Sequence, residues 1–136
     1  MLNAKLFAGL AGLAFVIAVL GRVHVLPRAN LWLTVANISF DTSYTHLFIA
    51  FVCGVFGFGY FGIVRLMQHP FNQTTGLIGF FLIAAATAIW LTSSFLATSD
   101  TLRSHWKVIV LFAAIFSFIL GAGLTGANLA WVLVRR

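Results

Sequence analysis

From Val108 to Val134 the chain runs for 27 residues without a formal charge. About 18 consecutive apolar residues suffice to cross a bilayer as a helix, because a helix rises about 1.5 Å per residue and the hydrocarbon core is roughly 30 Å thick. Three further uncharged runs precede this one: Leu6–Gly21, Leu47–Val64 and Thr75–Thr98. None alternates apolar with polar as a membrane β-barrel strand does. Only helices and closed barrels satisfy their backbone groups in lipid. The expected fold is therefore all-α and integral to the membrane: an antiparallel four-helix transmembrane bundle, one domain over residues 1–136, with helices near 5–26, 46–66, 75–98 and 107–133. The fourth run is longer than the core is thick, so that helix should tilt or project.

A soluble fold is excluded by surface chemistry. A water-soluble domain needs about a quarter of its residues charged, and here eight Lys or Arg and two acids are all there is in 136 residues. The net charge of +6 does not mark a nucleic-acid partner, because the cations are scattered to the ends of the apolar runs. There, long side chains snorkel to headgroups. The first run resembles a secretory signal in having Lys5 before it, yet no A-x-A-type site follows. A retained first span, extending to about Leu26 and ended by Pro27, is expected. Cys53 has no second cysteine to pair with.

Four spans put both termini on one side, here called side A, together with the segment around Arg65 to Gly76. Side B holds residues 22–46 and 99–107. Side A carries Lys5, Arg65, Arg135 and Arg136; side B carries Arg22, Arg28, Arg103 and Lys107. With positive charge balanced, the amino terminus tips the expectation to both termini cytoplasmic. Two N-x-S/T triplets, at Asn37 and Asn72, fall on opposite sides, so both cannot be glycosylated.

Helices in lipid meet through small residues. On the third span Ala84, Ala88 and Thr92, with Gly76 behind them, form one such stripe. On the fourth, Ser117, Gly121, Thr125 and Asn128 share a face; on the first, Ala11, Ala14 and Ala18 do, with Ala4 and Ala8 behind. Asn128 is the costly member and should point inward or sit near the headgroups. In the second span Gly54, Gly57, Gly59 and Gly62 scatter round the helix, as suits close contact on several sides. Those contacts would be with the chain's own bundle, a neighbouring subunit or a flat ligand.

Side B gathers the polar residues. His24, His46 and His105 lie at its level beside Arg22, Asp41, Tyr44, Asp100 and Arg103, with Trp32 and Trp106. The plain reading is an interfacial rim that contacts headgroups and orders its loops. The sharper one is a haem b, metal or quinone-edge site held by the three histidines, although no H-x-x-x-H or H-E-x-x-H spacing occurs. The linker Pro27–Thr45 is expected as an interfacial segment between helices 1 and 2. Leu31, Val35 and Ile38 would share a helical face, while Leu31, Leu33 and Val35 alternate as in a strand. A helix lying flat with Trp32 in the headgroup belt is the expected form.

Catalysis has little to work with, since there are no paired carboxylates and no nucleophile–base arrangement. A transporter normally needs an intramembrane ion, substrate site or discontinuous helix, and all ten formal charges lie outside the uninterrupted cores. The reading that remains is a non-catalytic small membrane subunit, an accessory or assembly component of a larger membrane complex, such as a respiratory or electron-transfer one. The alternatives are a haem- or quinone-associated electron-transfer anchor, and a subunit of an oligomeric pore or transporter with Ser117, Thr125 and Asn128 toward the lumen. Membrane lipids and other membrane subunits, or further copies of the chain, are the expected partners.

Overall fold

The structure, a computed structural model, describes residues 1–23, 30–33, 38–67, 71–97 and 104–134, with side-chain surroundings for 1–23, 43–66, 71–93 and 109–134. Four long helices carry it: α1 (Leu2–Arg22), α2 (Thr42–Gly62), α3 (Gln73–Ala97) and α4 (Ser104–Val134). Each is long and apolar enough to cross a membrane. A π-helical turn, Ile63–Met67, extends α2 on side A. Asn72 caps α3: its side-chain carbonyl accepts from the Thr75 N–H at 3.2 Å, and its backbone carbonyl from Gly76 N–H at 3.1 Å. That is the ordinary bonding of an N-cap asparagine.

The linker between α1 and α2 departs from expectation. Instead of a flat helix, two antiparallel strands form, β1 (Asn30–Leu33) and β2 (Ile38–Asp41). Their register sets Leu31 opposite Phe40 and Leu33 opposite Ile38, with Asn30–Asp41 and Trp32–Ser39 at the alternate positions. Apolar residues thus pair with apolar ones on a period of two. A lone helix of this length would gain no such matching.

The helices pack as two antiparallel hairpins. α1 lies along α2 and α3 along α4, and the hairpins meet on a narrower seam. Buried residues recur at alternating steps of three and four. They are Asn3, Phe7, Leu10 and Ala14 on α1, and His46, Ala50, Cys53, Gly57 and Tyr60 on α2. On α4 they are Gly121, Thr125, Asn128 and Val132. Such steps keep one face toward a neighbouring helix.

On α3 this same rule corrects the expected stripe. The buried line runs Gly76, Gly79, Ile83, Ala86 and Trp90, whereas Ala84 is only half-buried and Ala88 and Thr92 are exposed. A strict i+4 line drifts by about 40° per step. Starting inward at Gly76, it has turned to the outside by Thr92. A close approach of α3 to α4 falls instead at Gly79 and Gly121. A methyl group at Gly121 would stand 2.8 Å from the Gly79 carbonyl oxygen, and one at Gly79 would collide with the Thr125 hydroxyl.

Phe7 of α1 is the hub of the main core. It is fully buried, edge-on to Phe56 of α2 (5.6 Å) and Phe80 of α3 (5.5 Å), and stacked on Tyr60 (5.7 Å). A second cluster, Trp90 with Leu111 and Ala114, joins only α3 and α4 toward side B. Side-chain hydroxyls within the spans bond backward along their own helices. Thr87 donates to Ile83 O and Thr125 to Gly121 O, both at 2.8 Å, so neither leaves an unsatisfied group in lipid.

Antiparallel packing fixes which helix ends share a side. Single cysteines placed at Leu2 and Thr74 in a Cys53→Ser background should label from one face of sealed vesicles. Cysteines at Val23 and Ser104 should label from the other. Any other grouping would contradict the four-span topology.

Candidate functional site: an amide–phenol cluster and the polar rim opposite

At the side A end, polar groups from all four helices converge. The Tyr60 hydroxyl on α2 is fully buried and accepts from the Asn128 side-chain amide of α4 at 2.9 Å. The same amide donates to the Asn72 backbone carbonyl, also at 2.9 Å. Asn3 of α1 is fully buried, its amide lies beside the Tyr60 hydroxyl across the Gly76 notch, and it donates to the Gln73 carbonyl at 3.5 Å. Gly76 makes room for this junction. A methyl group there would overlap the Asn3 amide and stand 2.8 Å from the Tyr60 oxygen. The ring of Phe71 packs on Tyr60 at 4.9 Å between centroids.

The members are two amides, a phenol and backbone carbonyls, so the cluster offers directional bonds and no charge. Among the described residues no carboxylate or imidazole joins it. What it can do is hold the helix ends in one register. The Asn3 carbonyl oxygen is the one group of the cluster left without a hydrogen-bond partner. Asn128 points inward. Asn3 and Tyr60 escaped sequence reasoning: Asn3 lies ahead of the expected start of the first span, and Tyr60 reads as one aromatic among many in a glycine-rich stretch. A usable signal existed, since Asn3, Tyr60, Asn72 and Asn128 all fall at the side A level of a four-span topology.

The glycines of α2 divide by direction. Gly57 meets α1: a methyl there would lie 3.3 Å from Ala8 N and 3.4 Å from Ala4 O. Gly59 meets Leu129 of α4 at 3.1 Å, while Gly54 and Gly62 face open space. Thr125 is fully buried, Asn128 nearly so and Ser117 half-buried, so the first two are committed to this chain's own interior. A pore built from several copies would not draw on them.

On side B, His24, Asp100 and Arg103 lie outside the described residues. Asp41 and His105 are described by backbone alone, at the end of β2 and the start of α4. Of the three that are fully described, two form a pair: the Arg22 guanidinium lies over the Tyr44 ring, 4.9 Å from its centroid. His46, two residues further along α2, is buried, 1% exposed. Ser43 ties α2 to α1 by donating to Ala18 O at 3.1 Å, in the space left by Gly21. Among the described residues no group of three His, Cys, Asp or Glu side chains could hold a metal ion.

If the amide–phenol cluster couples the helix ends, Tyr60→Phe and Asn128→Leu should each lower thermal stability in detergent. The double variant should lose less than the sum, with a coupling of about 0.6–1.7 kcal/mol, the range for hydrogen bonds between membrane helices. Strict additivity would mean that the bond adds nothing to the fold. No family model matches this chain, and no curated protein or solved structure is significantly similar to it.

Proposed function

We propose that this small multi-pass membrane protein is a non-catalytic accessory or assembly subunit of a larger membrane complex, acting through its outer helix faces. The observation that carries this reading is a second small-residue face on α4. Gly123, Ala127 and Ala130 are exposed, with nothing within 4 Å of Gly123. They lie about 200° round the helix from the inner line Gly121, Thr125 and Asn128. Glycine costs a helix up to about 1 kcal/mol relative to alanine, and against lipid it returns nothing. Against another helix it permits close backbone approach. Ala8, Gly9 and Gly12 give α1 a comparable outward face. At most 33% of the residues in each span's most apolar stretch are buried within the chain, which leaves ample surface for a partner.

Mass measurement of the mildly extracted native protein is the direct test. The expected result is an assembly well above the 14.8 kDa of one chain, which Gly123→Leu with Ala127→Leu dissociates while the monomer remains folded. A wild-type mass of one chain plus lipid would overturn the proposal. The electron-transfer alternative separates by colour. The purified protein should lack a Soret band; one that vanishes in His46→Ala would move the reading to a haem-bearing anchor.

A further inference from the structure

Between α1 and α2, on the side B half of the bundle, an open apolar groove of about 580 Å³ runs along the outer surface. Ala11 and Ala50 leave its depth, and Phe15, Tyr44, Phe48 and Phe51 form its walls. Its mouth is cationic: Tyr44 lines the groove, and the Arg22 guanidinium lies over that same ring at 4.9 Å. Arg22 is exposed. A guanidinium that stacks on an aromatic face keeps its N–H edge free for a phosphate.

We infer that this groove is a binding site for one anionic phospholipid of the side B leaflet, with the phosphate at Arg22 and an acyl chain along Ala11, Phe15, Phe48 and Phe51. Length supports the assignment. Along α2 the lining runs from Tyr44 to Phe51, about 10 Å of helix, and half of a roughly 30 Å core is about 15 Å. The groove therefore lies within the side B leaflet and takes the part of one acyl chain nearest the headgroup. A spanning partner helix would need a groove about three times as long. Charge supports it too, since the mouth presents a cation where an anionic headgroup lies. Arg65 supplies an internal comparison. It lies over Phe61 at 5.8 Å on side A, but neither residue borders the groove.

The test is native mass spectrometry of the full chain released from nanodiscs of equimolar phosphatidylcholine and phosphatidylglycerol. Wild type should retain one phosphatidylglycerol in preference to phosphatidylcholine, and excess inorganic phosphate should not displace it, because the acyl chain supplies part of the contact. Arg22→Gln should abolish the headgroup preference, and Ala11→Phe, which fills the groove, should remove the retained lipid of either kind. Arg65→Gln should match wild type. If Ala11→Phe does not fold, Phe15→Ala with Phe51→Ala, both at outward positions, should lower retention several-fold by removing the groove walls. Equal retention of both lipids by wild type, displacement by phosphate alone, or unchanged preference in Arg22→Gln would overturn the site. So would loss of preference in Arg65→Gln equal to that in Arg22→Gln.

Discussion

The Tyr60 hydroxyl, bonded by the Asn128 amide and flanked by the Asn3 amide at Gly76, is the junction on which the arrangement of the four helices depends. In water, two apolar helices come together because burial removes surface from solvent; in lipid that drive is absent, since acyl chains are as apolar as the side chains. What remains is close packing and directional bonding. The cluster supplies the second at the side A end of the bundle, where α1, α2 and α4 contribute side chains and the start of α3 contributes backbone carbonyls. Its effect reaches inward through the ring of Tyr60, which stacks on Phe7, the residue that also touches α2 through Phe56 and α3 through Phe80. Hydrogen bonding at the phenol tip and packing at its face thus set the same registration twice.

Close packing supplies the rest, and glycine placement decides where. Gly79 and Gly121 let the backbones of α3 and α4 approach until a single added methyl would meet a carbonyl oxygen. Gly57 does the same for α2 against α1, and Gly21 admits the Ser43 side chain. Each hairpin is therefore held by its own notch. The narrower seam between hairpins relies on Phe7 and the amide–phenol cluster. Gly54, Gly62 and Gly123 face open space, so glycine in this chain has two separate uses, and composition alone does not distinguish them.

Sequence made the four spans legible because uncharged run length maps directly onto bilayer thickness, and antiparallel order follows because consecutive spans must cross in opposite directions. Helix faces were less legible. The small stripe on α4 faces inward at Gly121, Thr125 and Asn128, yet the one on α3 turns outward at Ala88 and Thr92, because a straight i+4 line does not stay on one face of a 3.6-residue helix. The linker was misread for another reason. Residues 30–41 satisfy both a helical and an alternating pattern, and cross-strand matching of Leu31 with Phe40 and Leu33 with Ile38 is visible only once the register is known. The amide–phenol cluster was the least legible, since Asn3 and Asn128 are far apart in sequence and meet only through topology. Level, rather than motif, was the available signal.

The two ends of the bundle are chemically unlike, and this has a consequence for how the molecule meets its surroundings. On side A the Asn128 amide bonds the Tyr60 phenol and the Asn72 carbonyl, and the Asn3 amide bonds the Gln73 carbonyl, so the polar groups of the cluster are turned inward. At the side B end of α1, Arg22 stands exposed over Tyr44, above a groove open to the leaflet. What distinguishes the ends is where the guanidinium sits: Arg22 stands over a ring that lines the groove, whereas Arg65 on side A stands over Phe61, which does not border it. A guanidinium has only donors, and a phosphate beside that groove supplies the acceptors it takes. Specific recognition by this chain is accordingly expected to concentrate at the Arg22 end and along the outward small faces, not at the Asn3–Tyr60–Asn128 junction.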